Sequence, residues 1–163
     1  MTNTTNLDPT QFLSFQLAGE EYAVNILRVK ELIEYDDLTR VPGMPASVRG
    51  VINLRGRVVP VVDLALRFGL PESQITQRSC IVMVEIGQGE NAVVMGIIAD
   101  AVSEVLDLSA EQIQSAPSFG TAVGAEFLDG MAEATGKKFV MLLNVERALS
   151  AEAFAAHQEA IAA

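Results

Sequence analysis

The sequence predicts an all-β fold, on three observations. About nine or ten short apolar runs follow one another at regular spacing, turn residues separate them, and helix-forming composition gathers only near the C-terminal end. One run, Val58–Val62, is apolar on both alternating faces, as in a strand covered on both sides. These strands are too many for one small sheet, and two small barrels or a sandwich would close their edges. No sequence repeat is obvious between the two halves, and an architecture can repeat without one.

Residues 1–10 are polar and are expected to form a disordered lead. Gln11–Ala18 alternates, with Leu13, Phe15 and Leu17 on the face assigned to the core. Gly19-Glu20 is read as the turn and Glu21–Asn25 as the return strand. Two periods compete from Ile26 to Tyr35. Period two aligns Leu27, Val29, Ile33 and Tyr35 with Glu31, whereas helical spacing aligns Ile26, Val29, Lys30 and Ile33. The β-branched content and the preceding hairpin favour a strand from Arg28 to Glu34. Glu31 then stands on a largely apolar face and needs a cationic or hydrogen-bonding partner to stay charged. Arg55 is the candidate.

Asp36–Ser47, with Pro42, Gly43 and Pro45, reads as a loop. The stretch Arg49–Leu64, RGVINLRGRVVPVVDL, organises the chain. Its runs Val51–Leu54 and Val58–Val62 flank the turn signal Arg55-Gly56-Arg57. Pro60 cannot donate to a ladder, so its side of the strand is an edge or a bulge. Asp63 is placed to cap a short helix, Leu64–Phe68. Gly69–Arg78 is a polar connector. Ser79–Ile86 and Ala92–Ile98 form a hairpin around residues 87–91. Asp100–Leu108 reads as a strand leaving that sheet, and Ser109 with Gln112 as a capping-box pair. Ala116–Glu126 is a loop containing Phe119. Phe127–Ala134 and Phe139–Val145 make a last hairpin, and the Ala- and Glu-rich tail, residues 148–163 above all, is a helix former.

Composition narrows the function. The chain has 163 residues, half of them hydrophobic, the size of one domain or two small subdomains. No run of about 18 apolar residues marks a membrane span. The polar first ten residues are not a secretory signal. A net charge of −10 disfavours nucleic-acid binding and suits basic patches on protein partners. A lone Cys80 excludes an internal disulfide and suits a reducing cytoplasm.

An enzyme is not expected, and no cofactor is implied. His157, the one histidine, reads as an exposed helix residue, and without a second there is no familiar histidine zinc cluster. Cys80 opens an apolar strand as a small hydrophobe. Asp63 and Asp100 end apolar runs, where paired glycosidase acids can stand, but turns and caps explain them as well. Gly87-Gln88-Gly89 precedes no helix and is not a phosphate loop. A ligand-carrying barrel is the alternative class, although nothing marks a cavity. The arginine-tipped hairpin, Glu31, Phe119 and the Pro42–Pro45 loop tilt the reading towards an interaction module.

The stretch GVINLRGRVVPVVDL closely resembles the central motif of the CheW family of bacterial chemotaxis coupling proteins. FLSFQLAGEEYAVNILRVKELI, DLTRVPGMPASVRG, GIIADAVSEVLDL and LSAEQIQSAPSFG resemble further family segments in the same order, over about residues 11–147. The resemblance implies two five-stranded SH3-like barrels packed over a hydrophobic core, with a C-terminal helix. It also implies a stand-alone, non-enzymatic cytoplasmic adaptor without kinase or receiver domain. Such a protein links the cytoplasmic tip of chemoreceptors to the regulatory domain of a CheA-type histidine kinase in arrays, and meets the membrane only through receptors. Arg55 matches the arginine of the family's NLRG motif and Glu31 its partnered acid. Val29, Gly50, Cys80 and Val105 match positions associated with receptor or kinase coupling, with Ile33 adding apolar contact. Phe119 matches an aromatic of ring contacts, and the loop Thr39, Arg40, Val41 and Pro42 is assigned to the kinase. Cys80 departs from the valine expected there.

Overall fold

The computed structural model describes residues 11–87, 89–114, 127–133 and 138–149. The lead at residues 1–10, Phe119 with most of its loop, and the tail from residue 150 lie outside them. Among these described residues, eleven strands form two sheets. They are β1 (Gln11–Leu17), β2 (Glu20–Asn25), β3 (Val29–Glu34), β4 (Val48–Leu54), β5 (Arg57–Val62), β6 (Cys80–Ile86), β7 (Val93–Ala99), β8 (Ala101–Asp107), β9 (Ile113–Gln114), β10 (Leu128–Glu133) and β11 (Phe139–Leu143). Among the described residues a four-residue helix follows β5, α1 (Leu64–Arg67), and another follows β11, α2 (Val145–Ala148).

The sheets repeat one plan that the sequence does not display. One has the order β8-β1-β2-β11-β10-β9 and the other β3-β6-β7-β5-β4. In each, a single parallel pairing, β2 with β11 or β7 with β5, joins two antiparallel sets. The two-residue β9 makes the first sheet six-stranded rather than five-stranded. Its counterpart in the second sheet is a single bridge, Thr39 to Val51. The chain crosses between sheets twice, from β2 to β3 through the 3-10 turn Ile26–Arg28, and from β7 to β8 at Asp100.

The core has three parts. Between the sheets lie Leu13, Phe15, Leu17, Tyr22 and Val24 from one, and Val62, Val82, Val84, Ile86, Met95 and Ile97 from the other. Phe12, Ala23, Ala132, Val140 and Leu142 fill the inner face of the six-stranded sheet, and Val59, Val61, Ile81, Met83 and Ile98 that of the five-stranded one. Tyr22 stacks between Phe15 and Phe68, and burial, its largest cause, with Glu20 nearby pushes its phenol up to about 12.

This three-part core corrects several face assignments. In β1 the even face is covered too, because Phe12 and Ser14 are buried beside Leu13, Phe15 and Leu17. Val58 is exposed, so the two-sided covering of β5 begins only at Val59. Pro60 sits where expected, since pairing with β7 starts at Val61. In β3 a bulge between Val29 and Glu31 breaks the single face read for Leu27 to Tyr35. Val29 pairs with Val84 and packs on the central core, whereas Ile33 pairs with Ile81 and packs on the inner cluster. Leu27 lies in the 3-10 turn and is exposed.

Turns follow local chemistry. Asp63 caps α1, accepting the Ala65 N–H at 3.0 Å. Gln112 Oε1 accepts the Ser109 N–H at 2.7 Å. The first hairpin turns at Ala18-Gly19, one residue earlier than the sequence suggested, with φ of 54° and 83°. Two positive φ angles define the tight turn that matches strand twist. The Asp100 carboxylate holds it by accepting the Ala18 N–H at 3.1 Å. Ala18→Gly therefore raises the unfolding free energy in urea titrations, by up to about 1 kcal/mol, because glycine bears no left-handed penalty. A lowered midpoint would contradict this.

Candidate functional site

The five-stranded sheet curls until its two edge strands meet. β3 and β4 end the order β3-β6-β7-β5-β4, yet two links join the chain at these edges. Beyond β3, Thr39 exchanges backbone hydrogen bonds with Val51 of β4, at 3.0 and 2.8 Å. At the other link, Arg55 in the β4–β5 turn meets Glu31 of β3. Its Nη2 donates to Glu31 Oε1 at 2.7 Å and its Nη1 to Oε2 at 3.4 Å. Glu31 lies opposite Met83, a residue of the inner cluster, at the partly open side of the sheet. The ion pair is thus a clasp across the edges.

The turn aims Arg55. Arg55 and Gly56 have φ of 51° and 86°, and Asn53 Oδ1 accepts the Gly56 N–H at 2.8 Å. A non-glycine residue held at positive φ is strained, and strain of this kind gathers at functional sites. Arg57 belongs to β5, opposite Leu54, and not to the turn. The pair is not buried, as its placement on an apolar face had suggested, for the Arg55 side chain is 71% exposed. The hydrogen bond from Arg55 holds the Glu31 carboxyl below its ordinary value, and the same bond raises Arg55. A carboxylate lowered on folding contributes stability above its unfolded pKa, and this is lost as pH falls through the lower folded value. A carbon-13 NMR titration should show Glu31 protonating at lower pH than an ordinary glutamate. In Arg55→Ala it should return to the ordinary range, and an unchanged titration would refute the clasp.

Gly50 sets the second link. A Cβ there would lie 2.8 Å from both Leu38 Cβ and Thr39 O, so only glycine lets the chain cross β4 at this distance. The crossing leaves Thr39, Arg40, Val41 and Pro42 exposed. Val105 is half-exposed on β8, an edge of the other sheet. Cys80 is half-buried at the start of β6, paired with Glu34 and Ala99, and its thiol donates to Arg78 O at 3.4 Å. The structure thus joins Glu31 with Arg55 and Gly50 with Thr39, while Val105 and Cys80 stand on other strands.

A buried ion pair behind this region was not anticipated. Arg49 Nη1 donates to Asp63 Oδ2 at 2.9 Å and to Ser73 O at 3.2 Å, and its Nε meets Glu72 at 3.2 Å. Asp63 is fully buried, and both its oxygens are engaged by Arg49, Ala65 N–H, Ser73 N–H and Ser73 Oγ. Those bonds make it a structural anchor rather than a catalytic acid. The other sheet repeats the device more weakly, for Asp129, also just before a glycine, accepts from Asn144, the cap of α2, at 2.9 Å. The signal available in sequence was this shared spacing, a polar residue before Gly50 or Gly130 and a capping Asp or Asn 13 or 14 positions after the glycine.

Comparison with known proteins agrees with this geometry. The family model of the CheW-like domain matches residues 11–153. The chain is 39% identical over 145 residues to the chemotaxis protein CheW of Klebsiella aerogenes, covering 89% of this chain and 84% of that protein. It is 32% identical over 145 residues to a probable chemotaxis protein CheW of Rhizobium etli, covering 89% and 90%. The crystal structure of the scaffolding protein TtCheW from Thermoanaerobacter tengcongensis superposes with a TM-score of 0.73 at 34% identity, covering 84% of this chain and 90% of that one. With the family model spanning both sheets and relatives matching over most of their length, the chain belongs to the CheW-like domain family.

Proposed function

We propose that this chain is a chemotaxis scaffold that couples the cytoplasmic tip of chemoreceptors to the regulatory domain of a CheA-type histidine kinase. The observation that carries this reading is the family match over residues 11–153. It acts by binding, without catalysis, in the cytoplasm at receptor arrays. Among the described residues no helix is long and apolar enough to cross a membrane. The carrier alternative loses support because side chains such as Val61, Ile81, Met83 and Ile98 fill the inner face of the five-stranded sheet.

The receptor tip docks as a helix in an apolar groove, with Val29 and Val105 offering contact and the Arg55–Glu31 clasp shaping the rim. Ile33, turned to the inner cluster, supports the strand that carries Glu31. Cys80 serves the same coupling surface. The kinase domain meets the exposed segment Thr39–Pro42, and Phe119 serves a further ring contact.

The test is a receptor–kinase assay reconstituted from purified components. Arg55→Ala lowers receptor-coupled kinase activity by roughly fivefold or more, the scale of a typical coupling energy, while Arg57→Ala leaves it near wild type. Equal activity in the two variants would sink the assignment of the clasp. Failure of the wild-type chain to activate the kinase would sink the adaptor reading itself.

A further inference from the structure

Two chain crossings and an apolar core join the sheets, and apolar contact is non-directional. Something directional must set the angle between them. Asp100 contributes at the β7–β8 crossing, through its bonds to Ala18 and Gln16, and the two short helices supply the rest, each reaching into the other sheet's territory. Arg67, the last residue of α1, donates its Nε–H to Ala148 O of α2 at 2.9 Å. Its guanidinium also lies 5.6 Å from the centre of the Phe127 ring, beside β10. In return, Glu146 of α2 accepts from Arg28 at 2.8 Å and from the Gly87 N–H after β6 at 2.9 Å. Arg28 belongs to the crossing from β2 to β3, so this bond holds the crossing itself.

We infer that Arg67 and Glu146 are positioning residues, a reciprocal pair of ties that fixes the angle between the two sheets and thereby the placement of β3 relative to β8. Arg28 and Glu146 side chains are 33% and 39% exposed, and pairs so exposed add little to global stability. A tie that is cheap to break specifies an orientation without holding the fold together. A chain with both ties loosened stays folded and samples a range of angles. The consequence for signalling rests on the adaptor reading above, whereas the consequence for geometry does not.

The test places nitroxide labels at Glu34 on β3 and Glu133 on β10, both exposed, as Glu34→Cys and Glu133→Cys in a Cys80→Val chain. Pulsed EPR then reads the distance between sheets. Arg67→Met with Glu146→Met, which removes both acceptor oxygens of residue 146, broadens the distribution about twofold, as expected of a freed hinge, while each single substitution lowers Tm by less than about 4 °C. Arg28→Met, which removes one tie from the opposite side and leaves both helices intact, broadens it as well. A distribution unchanged in these variants would overturn the inference. A broadened one that leaves receptor-coupled kinase activity at the wild-type level, provided the wild-type chain couples, would overturn the consequence for signalling. If the wild-type chain does not couple, the adaptor reading fails, and the EPR result still decides whether the ties set the angle.

Discussion

Asp63→Ala lowers the free energy of unfolding by about 3–5 kcal/mol, the scale for stripping one partner from a buried ion pair. The loss falls on three structures at once. Arg49, with a side chain only 14% exposed, is left without its buried anion and keeps only Glu72 and a carbonyl. Ser73 loses the acceptor of its N–H and of its hydroxyl, which frees the connector between α1 and β6. α1 loses its cap, and with it the seat of Leu64 and Ala65 in the central core. Urea titrations by circular dichroism measure the loss. Replacing both members, Arg49→Met with Asp63→Leu, should recover part of it, because two apolar residues strand no charge. A single variant within 1 kcal/mol of wild type, about the worth of an exposed pair, would show that the anchor is not what holds this corner.

Gly50→Ala is expected to cost about 1–3 kcal/mol, as other insertions into filled space do, and to weaken kinase binding as well. The added Cβ meets the Thr39 carbonyl, which is backbone and cannot rotate away, so the segment after β3 must lift from β4. Thr39 then loses its bridge to Val51, and Arg40, Val41 and Pro42 lose their fixed position. Gly130 is the internal control. Its Cβ would lie 2.6 Å from Gln114 O in β9, so Gly130→Ala is expected to lose comparable stability without touching the Thr39–Pro42 segment. Calorimetric titration with the kinase regulatory domain separates the two. Equal binding by both variants would remove that segment from the interface.

These variants also mark where sequence reasoning reached and where it stopped. Alternation, turn residues and caps are local, so the hairpins, the Asp63 cap and the Ser109–Gln112 pair were legible. Strand phase even supplied the Glu31–Arg55 pairing, because an acid on an apolar face demands a partner. The bulge after Val29 was not legible, since one extra residue leaves no trace in composition and reverses the face of what precedes it. Nor was the Arg49–Asp63–Ser73 anchor, which joins Arg49 to Asp63 across the β4–β5 hairpin and reaches Ser73 only through a connector of no regular period. The repeated sheet order stayed hidden because β1 and β2 share a sheet with β8 to β11, with all of the other sheet's strands between them in sequence.

That last arrangement governs how the protein is made. Strands leave the ribosome in chain order, and β3 to β7 can pair as soon as residue 99 has emerged. The first hairpin, β1 and β2, is synthesised earliest but waits for β8 and then β11. At roughly 5–20 residues per second the wait for β11 is on the order of ten seconds. Through that interval Phe12, Leu13, Phe15 and Leu17 have no finished sheet to enter and stay open to capture by a chaperone.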